Sequence, residues 1–246
     1  AGDGDTWSLL GPNAVPPDTP NIFYAAAPNG DDDTQTIKDA ITQATAYPGK
    51  SASVILGPGT YRIDLNKDSG YCFVIRDARN VTIRGQKDNT ALVVKNPRAG
   101  AFSVESGNRI RFENFSIDYD PLPFTQGTVT EVIDPQTFKL QIDDQMPSLS
   151  DKQFIYGLES ISNLDFDIKY CLKHYWGTLY ETNSPRPKKN VPNLVPARSW
   201  VHCLPDKDPN RPIFLMKMTS AYRDIAKGDR YVQLAKTGAC AFRFQD

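Results

Sequence analysis

Asp118 and Asp120, two residues apart in "SIDYDPLP", are the side chains of this sequence whose types and spacing best fit a chemistry. Hydrolysis of a glycosidic bond needs two carboxyl groups, one protonated to release the leaving oxygen and one ionised as base or nucleophile. On an extended strand, side chains two apart face the same way, within the ~5–9 Å separations that glycosidases use. A structural role competes with this one. An acid ahead of a turn commonly bonds its own backbone, so Asp118 could cap the turn while Asp120, before Pro121, organises the exit of the chain. Glu105 and Glu113 are either partners of the pair or solvated charges on the outer face.

Aromatic residues supply a second candidate. "KHYWG" and "SWVHC" place His174, Tyr175, Trp176 and Trp200 near one another in type, with His202 beside them. Apolar sugar faces pack on aromatic planes while polar tips bond hydroxyls, so His174, Tyr175, Trp176 and Trp200 are the expected substrate-binding residues. The alternative makes Trp176 and Trp200 the core of a small β-subdomain. Asp165 and Asp167 in "NLDFDIK", and the acids of "DLNKDSG", lack the spacing and glycine of a calcium loop, so neither metal nor other cofactor is expected.

Cys72, Cys171, Cys203 and Cys240 lack CxxC spacing and read as structural or free thiols; in an oxidising compartment the favoured bridge is Cys171 to Cys203, which share one irregular region. Sequences that cradle phosphates, dinucleotides or a nucleophilic serine do not occur. With 28 Lys+Arg against 29 Asp+Glu, the net charge of −1 calls for neither a nucleic acid nor an anionic membrane as partner. The sequence begins with Ala and contains no apolar run of membrane-spanning length. Sequons at Asn80 and Asn114 are compatible with glycosylation, and the expected location is secreted.

The elements that must position these residues follow from pattern. Residues 1–30 are rich in Gly, Pro, Asn and Asp and read as an N-terminal arm. Residues 31–118 open with a helix, in which Ile37, Ala40, Ile41 and Ala44 recur at helical spacing after a possible cap at Asp33 or Thr34, and continue as short strands. Within them, "CFVIRDARNVTIRG" aligns beneath "AFSVESGNRIRFEN", so that Phe73 matches Phe102, Val81 matches Ile110 and Ile83 matches Phe112. "ACAFRF" repeats the opening once more, with Phe242 in the place of Phe102. A fixed period of short strands predicts an all-β chain built as a right-handed parallel β-helix, with the helix capping its first coil.

Residues 119–236 interrupt this repeat. Alternation over Thr128–Ile133 and Thr137–Ile142 around Asp134-Pro135 predicts a hairpin, and "IFLMKMTS" and "GDRYVQLAK" are further strands, so the interruption reads as an inserted β-subdomain. "NSPRPKKNVPNLVPAR" reads as a solvated loop. Residues 237–246 return to the β-helix.

In their order, "DDTQTIKDAI", "VILGPGTYRI", "NVTIRG" and "IRFENFSIDYDPLPFTQGTV" resemble the N-terminal part of secreted right-handed parallel β-helix proteins of the pectin-lyase-like superfamily. "FSIDYDPLPFTQGTV", a β-rich insertion and a late "KGDRYVQLA" are most similar to the glycoside hydrolase branch that includes α-1,3-galactosidases. The resemblance implies a secreted enzyme that hydrolyses glycosidic bonds of a poly- or oligosaccharide. It also implies many more coils than two, so the expectation is an incomplete solenoid whose partner is the remaining β-helix polypeptide, with most catalytic acids outside this chain. The polygalacturonase-type motifs of the superfamily are absent. Two alternatives stay open: a polysaccharide lyase, and a non-catalytic carbohydrate-binding or adhesion β-helix.

Overall fold

The computed structural model describes residues 21–48, 51–65, 70–151, 154, 176–203, 208, 210–235 and 241–245. The chain divides into two compact units, residues 1–120 with 240–246, and residues 121–239.

The first unit contains β1 (Asn21–Tyr24), α1 (Thr34–Ala46), β2 (Ala52–Ile55), β3 (Gly59–Ile63), β4 (Tyr71–Arg76), β5 (Val81–Arg84), β6 (Thr90–Val94), β7 (Gly100–Glu105), β8 (Arg111–Glu113), β9 (Ser116–Tyr119) and, after the second unit, β16 (Phe242–Gln245). All its ladders are parallel. They form three small sheets, ordered β1-β2-β5-β8, β3-β6-β9 and β4-β7-β16. The 29-residue offset of the sequence is the register itself: Phe73 lies opposite Phe102, and Ile83 opposite Phe112. Turns obey the same offset. Asp77 and Asn80 are left-handed, at φ 52° and 54°, and Ser106 and Arg109 repeat them at 53° and 56°. Asn80 of the first sequon is thus a turn residue, of the type that tolerates this conformation.

Stacking follows from this register. The Phe73 and Phe102 rings lie 5.1 Å apart, and Phe102 stacks on Phe242 at 5.5 Å with the planes 10° from parallel. Val54, Ile83, Leu92 and Phe102 are fully buried alongside them. Helix α1 turns Ile37, Ala40, Ile41 and Ala44 into this core. Its approach also satisfies a sheet edge. The buried Asp33 carboxylate accepts the Arg62 N–H at 3.0 Å, the Asp33 N–H donates to the Arg62 carbonyl at 2.7 Å, and Thr34 Oγ1 accepts the Asp64 N–H at 2.8 Å. The Asp33 side chain therefore serves β3 and not the helix, whose Ile37 N–H bonds the Asp33 carbonyl at 3.4 Å; the first free amide of α1, at Thr34, is bonded by Asp32 at 3.0 Å.

The second unit contains β10 (Phe124–Asp134), β11 (Thr137–Ile142), β12 (Trp176–Tyr180), β13 (Val195–His202), β14 (Ile213–Met218) and β15 (Arg230–Leu234). These close into a six-stranded antiparallel barrel, β10-β11-β14-β13-β12-β15. Alternation fills its interior: Val129, Phe138, Leu140, Phe214, Met216 and Tyr231 are all buried. Gly177 has a steric reason, since a Cβ there would stand 2.2 Å from the hydroxyl of buried Tyr231. The oxygen of that hydroxyl lies 3.1 Å from the Val195 carbonyl and 2.8 Å from Gln233 Oε1, and its single proton can bond to either. The two ends of the unit meet, with Phe124 opposite Leu234 and the Ala235 N–H bonded to the Pro123 carbonyl at 2.9 Å.

The all-β class agrees with this architecture, but the expected right-handed parallel β-helix, or pectin-lyase-like fold, does not describe it. One unit is a closed antiparallel barrel, and the parallel sheets of the other have only three or four strands each. The physical reason lies in connection length. Adjacent alternating runs joined by a tight turn, as at Asp134-Pro135, pair antiparallel, so the strands from Phe124 to Leu234 close on one another instead of adding parallel coils.

Candidate functional site

Asp118 stands on β9 and Asp120 directly after it, both exposed, while Ile117 and Tyr119 between and before them turn toward the core. Parallel pairing decides what lies beside them. Arg62 of β3 is opposite Val93 of β6, which is opposite Asp118, so Arg62 and Asp118 belong to one row on the outer face of this sheet. The guanidinium reaches past that row to Asp120, with Nη2 to Oδ2 at 2.8 Å. Asp120 is anchored a second time by its own N–H, bonded to the Val94 carbonyl at 3.1 Å.

The Asp118 carboxylate has a different environment. Its Oδ1 accepts the neighbouring Tyr119 N–H at 2.8 Å, and among the described residues no cation pairs with it. Two acids on one strand face thus differ in kind, one held by an arginine and one open to solvent. Tyr119 is itself fixed from below, its hydroxyl bonded to the Ala99 carbonyl at 3.1 Å. Both elements of the competing structural reading, a local backbone bond at Asp118 and an anchoring role at Asp120, are present beside the shared face.

Arg62 is the residue that the sequence reading missed. It lies 58 positions before Asp120 and reaches it across β6; the register of this sheet steps by 31 residues from Arg62 to Val93 and by 25 from Val93 to Asp118, so the 29-residue repeat of the other sheets gave no signal for it. Glu105 and Glu113 do not join the pair. Each is bound by the arginine one register earlier, Arg76 Nε to Glu105 at 2.7 Å and Arg84 Nη2 to Glu113 at 2.7 Å.

The aromatic candidates belong to the barrel unit. Trp200 on β13 packs against the barrel core and donates its Nε1–H to the Leu149 carbonyl at 3.0 Å. That contact fits the core alternative for this residue. Trp176 on β12 is half-buried, and its Nε1 is enclosed with no hydrogen-bond partner among the described residues. His202 stacks on Phe214 at 4.8 Å. His174 and Tyr175 lie outside the described residues, as do Cys171, Cys240, Asp165 and Asp167. Cys203 and Cys72 are free thiols. Among the described residues no three His, Cys, Asp or Glu side chains gather as metal ligands, and no helix is long and apolar enough to cross a membrane.

Comparison with known proteins adds no name: no family model matches the chain, and no curated protein is detectably similar to it. The resemblance to the pectin-lyase-like superfamily, and to its glycoside hydrolase branch with α-1,3-galactosidases, is therefore corrected on two grounds. The barrel departs from the expected architecture, and short strand motifs such as "NVTIRG" encode alternation and turns that many unrelated β proteins share.

Proposed function

We propose that this chain is a secreted protein that acts on carbohydrate, hydrolysing glycosidic bonds of a poly- or oligosaccharide through Asp118 and Asp120. One observation supports the reading above others: two carboxylates two residues apart are both exposed to solvent, and Arg62 pairs with only one of them. Glycosidic hydrolysis divides labour in that way. Asp120, held by Arg62, is assigned the part of base or nucleophile, and Asp118, open to solvent, that of the acid. Their side chains leave the strand about 6.6 Å apart, within the range that such pairs span.

The test measures new reducing ends from neutral and uronic oligosaccharides, with ultraviolet absorbance of an unsaturated uronic product followed in parallel. Hydrolysis gives reducing ends alone; appearance of the unsaturated product would mean lyase chemistry instead. Asp118→Asn and Asp120→Asn are each expected to lower turnover by about 10²-fold or more. Unchanged turnover in both variants sinks the assignment.

A second reading, non-catalytic carbohydrate binding, is favoured by the exposure of both carboxyls, because a proton donor usually needs an apolar enclosure. Saturable glycan binding without any bond cleavage would select it.

A further inference from the structure

The three parallel sheets of the first unit end in edge strands β8, β9 and β16, and these border one groove of about 650 Å³. Ile110, Phe112, Phe115, Ile117, Phe242 and Phe244 give it a mainly apolar wall, with Glu113 and Asn114 as its polar part. Four of them, Phe112, Ile117, Phe242 and Phe244, stand opposite a buried residue of the preceding strand. Val104 of β7 is 3% exposed, whereas Phe244, directly opposite it on β16, is 63% exposed. Leu92 is fully buried and its partner Ile117 only partly; Ile83 is fully buried and its partner Phe112 only partly. What covers the earlier residue in every case is the next parallel strand.

From this we infer that the groove is a docking surface for an extended polypeptide segment, with apolar side chains at alternate positions, which adds parallel strands to these edges. The structure already shows the recognition in use. β16 is a segment, "FRFQ", brought from far along the chain and added parallel to β7, with Phe242 stacked on Phe102 at 5.5 Å and polar Arg243 turned outward. The surface it creates repeats the one it covers. Phe242 and Phe244 lie 6.4 Å apart and nearly parallel, and Phe112 sits 4.8 Å from Phe242, so the aromatic column is continued up to the groove. Main-chain bonding along an edge supplies affinity and alternate pockets supply selectivity in this mode of recognition. A second copy stacked head to tail is disfavoured, because the opposite edge at β3 is already bonded by Asp33 and Thr34.

The probe is a labelled synthetic peptide with the sequence of residues 100–107, GAFSVESG, which is the strand that accepts β16. Fluorescence anisotropy is expected to rise saturably with protein. Phe244→Asp, at an exposed site that the fold does not need, is expected to weaken binding by about tenfold or more, as is replacing the peptide's phenylalanine by serine. Amides of residues 242–245, the edge strand whose partner the peptide copies, are expected to gain protection from hydrogen exchange in the complex. The inference is overturned by absence of saturable binding, or by binding that Phe244→Asp leaves intact. It is equally overturned if the same amides are protected by self-association of the chain or by an oligosaccharide and not by the peptide.

Discussion

Arg76 and Glu105 stand side by side on β4 and β7, joined at 2.7 Å across one step of the register, and Arg84 and Glu113 repeat the arrangement on β5 and β8. Opposite charges are thereby placed where parallel strands would otherwise be free to slip.

Energetically these pairs are small. Arg76 is 63% exposed and Glu105 32%, so solvent screening limits the contribution to about 0.2–1 kcal/mol. Glu105→Gln is expected to lower unfolding free energy by less than ~1 kcal/mol, and molar salt is expected to erase the difference, as read from urea titrations.

Phe102 carries far more. It is fully buried and contacts the rings of Phe73, Phe112, Phe115 and Phe242, so Phe102→Ala removes the centre of an aromatic column. A loss of about 3–5 kcal/mol is expected. Because the barrel has its own core, amide exchange should accelerate at Phe73 and Ile83 while Phe138 and Leu140 are unaffected.

In the barrel unit, Asp229 is 1% exposed and accepts the Lys188 ammonium at 2.5 Å, the Ala226 N–H at 2.7 Å and the Thr182 hydroxyl at 3.2 Å. Asp229→Asn leaves Lys188, only 15% exposed, without its counter-charge. Such a change costs about 3–5 kcal/mol, which thermal melts would report as a markedly lower Tm.

The Cys72 thiol is pushed up to about 12 from its ordinary 9.0, first by burial and then by the nearby Asp64 and Asp32 charges. Folding therefore favours the protonated thiol. That preference has no effect on stability below pH 9, where both states are protonated, and turns into a loss as the unfolded chain ionises between pH 9 and 12. Urea titrations should show stability falling by up to ~1.4 kcal/mol per pH unit in that window, with Cys72→Ala removing this contribution. At pH 8, an alkylating reagent should label Cys203 before Cys72.

Much of this architecture could be read from residue order. The helix was visible because Ile37, Ala40, Ile41 and Ala44 share one face, the Phe73–Phe102 pair because a 29-residue repeat superimposes side chains on stacked strands, and Phe242 because "ACAFRF" repeats the opening at Ala101. The β10–β11 hairpin followed from alternation around Asp134-Pro135. Closure of the barrel was not visible, since pairing Phe124 with Leu234 joins strands whose alternation says which face is apolar but not which neighbour it meets. At the candidate site, strand periodicity placed Asp118 and Asp120 on one face, yet the arginine beside them belongs to a strand two registers away. Trp200 shows the opposite limit: an aromatic type suited to sugar proved to be tied to the Leu149 carbonyl.

The hydrogen bond between Ala235 and Pro123 has a kinetic consequence. Residues 121–239 lie between β9 and β16, a separation that would make the search of "FRFQ" for β7 slow in a random chain. Once the barrel has closed, its entry and exit are adjacent, and the intervening hundred-odd residues count as a short tether. Closing the barrel before β16 joins β7 is thus the shorter search, because loop closure costs less the fewer free residues the loop holds.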